Sequence, residues 1–349
     1  MSNRLDDYDF DLPLERIAQE PARVRDAARL LALDRTSGAM EHARFSHLPG
    51  LLRAGDLLVL NDTAVRQVRL FGHKEGTRGR VEALLLAPVG GGRWRALVRG
   101  AGRPGTVLEF ARGSVRATVA GADASGETII EFDDPAGGER ATAAAGYPPL
   151  PPYIRRREDE ARRRRRSDRS RYQTVFARRP GSVAAPTAGL HFTGRLFERL
   201  ARAGVQTAFV TLDVGPGTFR PIRHDDLAEH SLEAEYAEIP PETVAAITAA
   251  RARGSRVVAV GTTVTRTLET FADGHGSVIP MCGPAGLFIR PGHRFRVIDA
   301  LITNFHLPKS SLLVLAAAFA GRERLLAAYA EAIRMNYHFY SFGDAMLIR

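Results

Sequence analysis

The chain of 349 residues is strongly basic, with 49 Lys and Arg against 39 Asp and Glu, a formal net charge of +10 and a pI near 10.4. Its single cysteine, Cys282, excludes an internal disulfide framework and a cysteine-built metal cluster. The acidic opening MSNRLDDYDFDLPLERIAQEP lacks the apolar core of a signal peptide, and the most apolar run, LLVLAAAF at 312–319, is too short to cross a bilayer. A cytoplasmic monomer with no membrane contact is therefore expected. The charge points to a polyanionic partner. Lysine occurs only at Lys74 and Lys309 while Arg and Ala abound, a pattern that a coding bias explains equally well.

In chain order, Asp11 and Pro13 predict the cap and first turn of a helix over LPLERIAQ. LLVLN (57–61) predicts a buried strand after the turn at Ala54–Gly55. Six short runs follow: RQVRLFG, RVEALLLAPV, RWRALVRG, GTVLEFA, SVRATVAG and ETIIEF. Glycine-rich turns separate them and no helical period interrupts them, which predicts a small β-barrel or sandwich. YPPLPPYI (147–154) reads as a proline-stiffened connector. The arginines at 155–157 and 162–166 fit either a phosphate-tracking segment or a solvated loop.

Beyond them the pattern alternates. TGRLFERLARAG predicts a helix with Thr193 as N-cap and Gly204 as stop, followed by the strand VQTAFVTLDV. The helix PPETVAAITAARARG and the strand RVVAVG (256–261) come next. Then follow the strand FRVIDALIT (295–303), the helices SLLVLAAAFAG and RERLLAAYAEAIRM, and a terminal strand near YHFYSF. The predicted class is α/β: a layered α/β domain with a mixed sheet, built from residues 1–62 and 148–349, with an inserted small β-barrel domain at 63–147.

Four loops combine Gly or Pro with functional side chains. SVAAPTAGLHF (182–192) carries Thr187 and His191. DVGPGTFRP (213–221) follows one strand, GTT (261–263) another with Thr262 as candidate N-cap, and TNFHLPKSS (303–311) a third. Ligands of open α/β sheets collect at such strand ends, so one composite pocket is expected. GPGTF lacks the dinucleotide spacing, and HExxH, CxxC, GxSxG and the phosphate-binding P-loop are absent. No metal site is expected.

LLVLNDTAV, LPPYI, RYQTVFARRPGSVAAPTAGLHF, VTLDVGPGTFRP, VVAVGTT, ITNFHLPKSSLL and YSFGDAMLI together resemble the S-adenosylmethionine:tRNA ribosyltransferase-isomerase family of queuosine biosynthesis. The resemblance runs from DYDFDLP to the end of the sequence. It implies transfer and isomerisation of the ribosyl part of S-adenosylmethionine onto 7-aminomethyl-7-deazaguanine at the wobble position of tRNA. Epoxyqueuosine forms, adenine and methionine leave, and S-adenosylmethionine is consumed as a substrate, so no cofactor is expected. The sulfonium acidifies the ribose C5′ hydrogens, which calls for a base; adenine leaves better protonated, which calls for an acid. Candidate acid/base and ribose contacts are His191, His306, Asp344 and Thr187. Arg220 and Arg266 suit a carboxylate or phosphate. Asn61, Asp62, Thr218, Thr262, Thr263 and Asn304 are candidate substrate contacts, with Lys309 ranked below them.

The family carries histidines where this chain has Asp213 and Glu233, and both are kept as candidate substrate contacts. A paralogous ribosyl transferase acting on a free nucleobase or another RNA is one alternative, which adenine release with free deazaguanine would select. A non-catalytic RNA-binding protein is the other. Against it, the β-module offers only Phe71, Trp94, Phe110 and Phe132 before Tyr147 as stacking residues.

Overall fold

The computed structural model describes residues 2–124, 126–215, 217, 222 and 224–349. The chain opens with 3-10 turns at Leu5–Tyr8, Leu14–Arg16 and Arg25–Ala27. The helix expected over LPLERIAQ is thus a single turn. Pro13 caps it without a side-chain hydrogen bond, and the turn buries no side chain; without a buried face so short a helix does not propagate. Then come β1 (Arg29–Leu33), β2 (Met40–Arg44), α1 (Leu48–Leu51), β3 (Leu57–Asn61) and β4 (Thr63–Val65).

The described residues group into two units, Met1–Ala64 with Gln173–Arg349, and Val65–Tyr172. The second unit contains β5 (Arg69–Lys74), β6 (Arg80–Gly90), β7 (Arg93–Arg99), β8 (Val107–Phe110), β9 (Val115–Ala122) and β10 (Thr128–Phe132), one strand for each of the six short runs. They close into a barrel in the order β10-β7-β6-β5-β8-β9, every pairing antiparallel. Closure removes the free edges of an open sheet. This unit does not stop at residue 147. It continues through α2 (Gly137–Ala145) and α3 (Glu158–Arg171).

Helix α3 holds most of the arginine run, and its first turn is acidic. Glu158 pairs with Arg162 at 2.6 Å, Asp159 with Arg163 at 3.1 Å and Glu160 with Arg164 at 3.5 Å, each four residues on. Acids at the N-terminus also oppose the helix dipole favourably. Arg156 makes a buried pair with Asp168 at 3.3 Å, and Arg165 packs over the Tyr147 ring. The run is therefore a partly self-neutralised helix, not a loop.

The first unit resumes with β11 (Arg179–Ser182), α4 (Gly194–Arg202), β12 (Gln206–Leu212), β13 (Glu235–Ile239) and α5 (Pro241–Ala252). It ends with β14 (Val257–Val260), α6 (Thr262–Thr270), β15 (Met281–Ala285), β16 (Ala300–Asn304), α7 (Ser311–Ala320), α8 (Arg322–Arg334) and β17 (Ala345–Ile348). Nine strands form one mixed sheet in the order β15-β13-β12-β3-β14-β16-β17-β1-β2. Strands β12, β3, β14 and β16 run parallel, β17 runs antiparallel to β16, and β1 runs parallel to β17. Side chains alternate across the sheet. Leu57, Val59, Val257 and Ala259 join the core beneath α5–α8, whereas Leu58, Leu60, Val258 and Val260 meet Leu196 and Leu200 of α4. Burial on both faces accounts for the unbroken apolar run LLVLN. Thr193 caps α4 by accepting from Leu196 N–H at 3.1 Å, as its sequence predicts.

The terminal strand lies at AMLI, not at YHFYSF. Tyr337 and Phe339 are buried in irregular chain, and Tyr340 takes φ of +75° in a turn closed by Gly343. A Cβ on Gly343 would sit 2.4 Å from His338 O and 2.5 Å from Phe339 C, so only glycine fits.

Candidate active site

The four parallel strands finish at one edge of the sheet, at Leu212, Asn61, Val260 and Asn304, and the antiparallel β17 starts there, since Asn304 pairs with Ala345. Carboxyl ends of parallel strands are where open α/β sheets hold ligands.

Asn304 is the hub of this edge. Thr187 Oγ1 donates to Asn304 Oδ1 at 2.8 Å, and Asn304 Nδ2 donates to His191 Nε2 at 3.2 Å and towards the Asp344 carbonyl at 3.5 Å. SVAAPTAGLHF therefore reaches the sheet edge at both of its functional side chains. Its small residues serve packing. Ala188 lies near Gly261, and a Cβ on Gly189 would come within 2.8 Å of Phe176 Cζ. The His191 ring also lies 4.9 Å from the Phe45 ring. Its Nε2 faces the Asn304 side-chain amide, which makes it the acceptor in that pair.

Asp344 anchors neighbouring chain. Its Oδ1 accepts from Arg29 N–H at 2.7 Å and its Oδ2 from His338 N–H at 2.8 Å. Burial raises its pKa, against the lowering effect of those backbone donors. His306 stands apart from the Asn304 cluster in its partners. Its Nε2 meets Thr303 Oγ1 at 2.8 Å, and its backbone N–H donates to the Tyr329 hydroxyl at 2.9 Å.

Burial lowers the pKa of His191 to about 4 and that of His306 to about 3. Unfolding frees both rings to bind protons near 6.5, so stability falls as pH drops from about 6.5 towards 4, by up to about 1.4 kcal/mol per pH unit for each ring. His306→Gln removes one of these groups while keeping a polar partner for Thr303. The loss of urea midpoint between about pH 7 and pH 5 is expected to be smaller in that variant; an equal loss would show that His306 does not contribute.

Asn61 is committed to the sheet. Its amide donates to Leu212 O at 3.0 Å and its oxygen accepts from Leu212 N–H and Thr63 N–H, both at 3.1 Å. Asp62 accepts from Thr211 Oγ1 at 2.7 Å. Asp213 accepts from Thr63 Oγ1 at 3.0 Å, and Thr63 in turn lies 2.8 Å from Ser182 Oγ. Gly181 makes room for that carboxylate, because a Cβ there would fall 2.0 Å from Asp213 Oδ1. Thr63, Ser182 and Gly181 were not among the sequence candidates.

Thr262 is the first residue of α6 and the N-cap is Gly261, whose φ of +95° suits glycine. Thr263 and Arg266 are buried on the same helix. Arg266 pairs with Glu235, which also accepts from Gly215 N–H at 2.7 Å. Arg266 Nε and Thr263 Oγ1 have no partner among the described residues. Glu235 is a second omission of the sequence reading; its signal is a carboxylate on the inward face that it shares with Ala237 and Ile239. Glu233, by contrast, is exposed. Lys309 pairs with Asp6 at 3.0 Å and Asp9 at 3.1 Å, pinning the opening segment. Thr218 and Arg220 lie outside the described residues. Among those described, no group of three or more His, Cys, Asp or Glu could hold a metal ion, and no helix is long and apolar enough to cross a membrane.

A family model described as queuosine biosynthesis protein matches residues 5–348. The S-adenosylmethionine:tRNA ribosyltransferase-isomerase of Moorella thermoacetica is 49% identical over 348 residues, and that of Anaeromyxobacter sp. 52% identical over 351, each covering 99% of both chains. The crystal structure of S-adenosylmethionine tRNA ribosyltransferase from Thermotoga maritima aligns with a TM-score of 0.55 at 36% identity, over 98% of this chain and 100% of that one. Likeness of this extent leaves no part of either unit unaccounted for, and the chain belongs to the S-adenosylmethionine:tRNA ribosyltransferase-isomerase family of queuosine biosynthesis proteins.

Proposed function

We infer that the protein transfers and isomerises the ribosyl moiety of S-adenosylmethionine onto 7-aminomethyl-7-deazaguanine in the wobble position of tRNA, giving epoxyqueuosine and releasing adenine and methionine. The observation that carries this reading is identity near one half to ribosyltransferase-isomerases along 99% of the chain. The Asn304 cluster supports it. A neutral imidazole, a hydroxyl and an amide converge at the strand ends, where a polar nucleoside would be held and a proton accepted. S-adenosylmethionine is a substrate here and no further cofactor is assigned. The working place assigned is the cytoplasm, as a monomer.

His191 and Thr187 are assigned to the ribose end of the substrate, with Asn304 orienting both. Arg266, tied to Glu235, is assigned to the methionine carboxylate. Asp213 is read as a holder of the 181–182 turn, so its departure from the family histidine does not by itself redirect the substrate. Adenine release is the direct test. Purified protein with S-adenosylmethionine is expected to liberate adenine only when tRNA bearing the aminomethyl base is added. Release with the free base and none with tRNA would establish the paralogous activity instead.

A further inference from the structure

An open groove of about 630 Å³ lies in the first unit between α4, the outer half of β12 and residues 175–178, and no part of the Asn304 cluster lines it. Phe176 forms its floor, with the Phe197 ring 5.7 Å and the Phe209 ring 5.8 Å away on either side. The guanidinium of Arg178 lies 4.5 Å over the Phe209 ring. Arg178 is exposed. The acid of the groove, Glu198, is already engaged with Arg202 at 3.7 Å. Val175, at the lip, keeps 51% of its surface exposed.

We propose that this groove receives an unstacked base of the RNA substrate, next to the nucleotide being modified. The proposal rests on the tRNA reading above and adds a second contact to it. Phenylalanine rings and a planar guanidinium are the surfaces on which single-stranded bases stack, and such stacking tolerates any base. Arg178 places an exposed cation in the groove wall, where a flanking phosphate would lie. The groove also shares structure with the site. Phe176 packs beneath Gly189, inside the stretch that carries Thr187 and His191. A base seated on Phe176 therefore bears on the loop that holds the catalytic candidates.

Ala201 and Thr207 are small, exposed groove residues outside the core, so Ala201→Trp and Thr207→Trp fill the space without cutting into packing. The test uses the full chain and an anticodon stem-loop RNA carrying 2-aminopurine beside the wobble position. With the native protein, binding is expected to change the 2-aminopurine fluorescence as the base leaves its neighbours and stacks in the groove. In the filled variants that signal is lost and the RNA Kd rises about 5- to 160-fold, the range that stacking of one base supplies, while KM for S-adenosylmethionine stays constant. Arg178→Ala should weaken binding in the same direction. Unchanged RNA affinity in folded filled variants overturns the proposal, as does a change confined to KM for S-adenosylmethionine. RNA affinity is read without turnover, so failure of the enzyme to release adenine would strike the functional reading and leave this test separate.

Discussion

His191→Gln is expected to lower kcat for adenine release by about 10²- to 10⁴-fold, the usual contribution of one positioned proton-transfer group. The ring is neutral at pH 7 because burial lowers its pKa to about 4. Its Nε2 faces the Asn304 amide at 3.2 Å. Glutamine keeps much of the volume and a hydrogen-bonding end but cannot take a proton near neutrality. Single-turnover adenine release, beside a thermal melt that confirms folding, decides the matter. A folded variant with near-native kcat would reduce His191 to packing against Phe45, whose ring is 4.9 Å away. Asn304→Ala should follow in the same direction, because it frees Thr187 and His191 together.

Replacing Arg266 with Met should cost about 3–5 kcal/mol of stability. The pair it forms with Glu235 is almost wholly shielded, with 6% and 7% of the two side chains exposed. Removing the cation leaves a buried carboxylate without the guanidinium that balances its charge. Buried ion pairs are costly to break and cheap to replace, so Glu235→Leu combined with Arg266→Met should return to within about 1 kcal/mol of the native protein. Urea denaturation of the two single variants and the double variant gives the coupling directly. Additive losses would show that the two side chains do not act as a pair. The double variant should still lose activity if Arg266 holds the methionine carboxylate, which separates its role in binding from its role in folding.

The barrel was legible because each of its strands is short, alternating or apolar, and bounded by glycine turns. The parallel strands of the first unit were legible because both faces are buried and the sequence is continuously apolar. Elements shaped by tertiary contacts were not. β17 was displaced in the reading by the aromatics of YHFYSF, which look strand-forming but pack as irregular chain around a positive-φ Tyr340. β2 is half exposed, and the MEHAR sequence gives no apolar alternation to detect. At the site, residue types pointed to Thr187, His191, Asn304 and Asp344, which the structure joins through Asn304. The same logic favoured His306, because a histidine before a proline-containing loop reads alike whether its ring faces a pocket or Thr303. Glu235 and Ser182 escaped because their roles depend on partners distant in sequence, at Arg266 and Thr63.

Helix α3 changes what the basic composition of this chain can do at a distance. Eight arginines crowded at 155–166 suggest a monopole that pulls in any polyanion. With three acids in the first turn each paired to an arginine one turn later, three of the eight charges become short dipoles aligned along one axis. The field of a dipole falls off with a higher power of distance than that of a monopole, and beyond about 8 Å physiological salt suppresses both. Eight arginines against three acids still leave this segment strongly positive, so it keeps a monopole that draws RNA from solution, and the paired first turn adds a directional field felt only once the two are close.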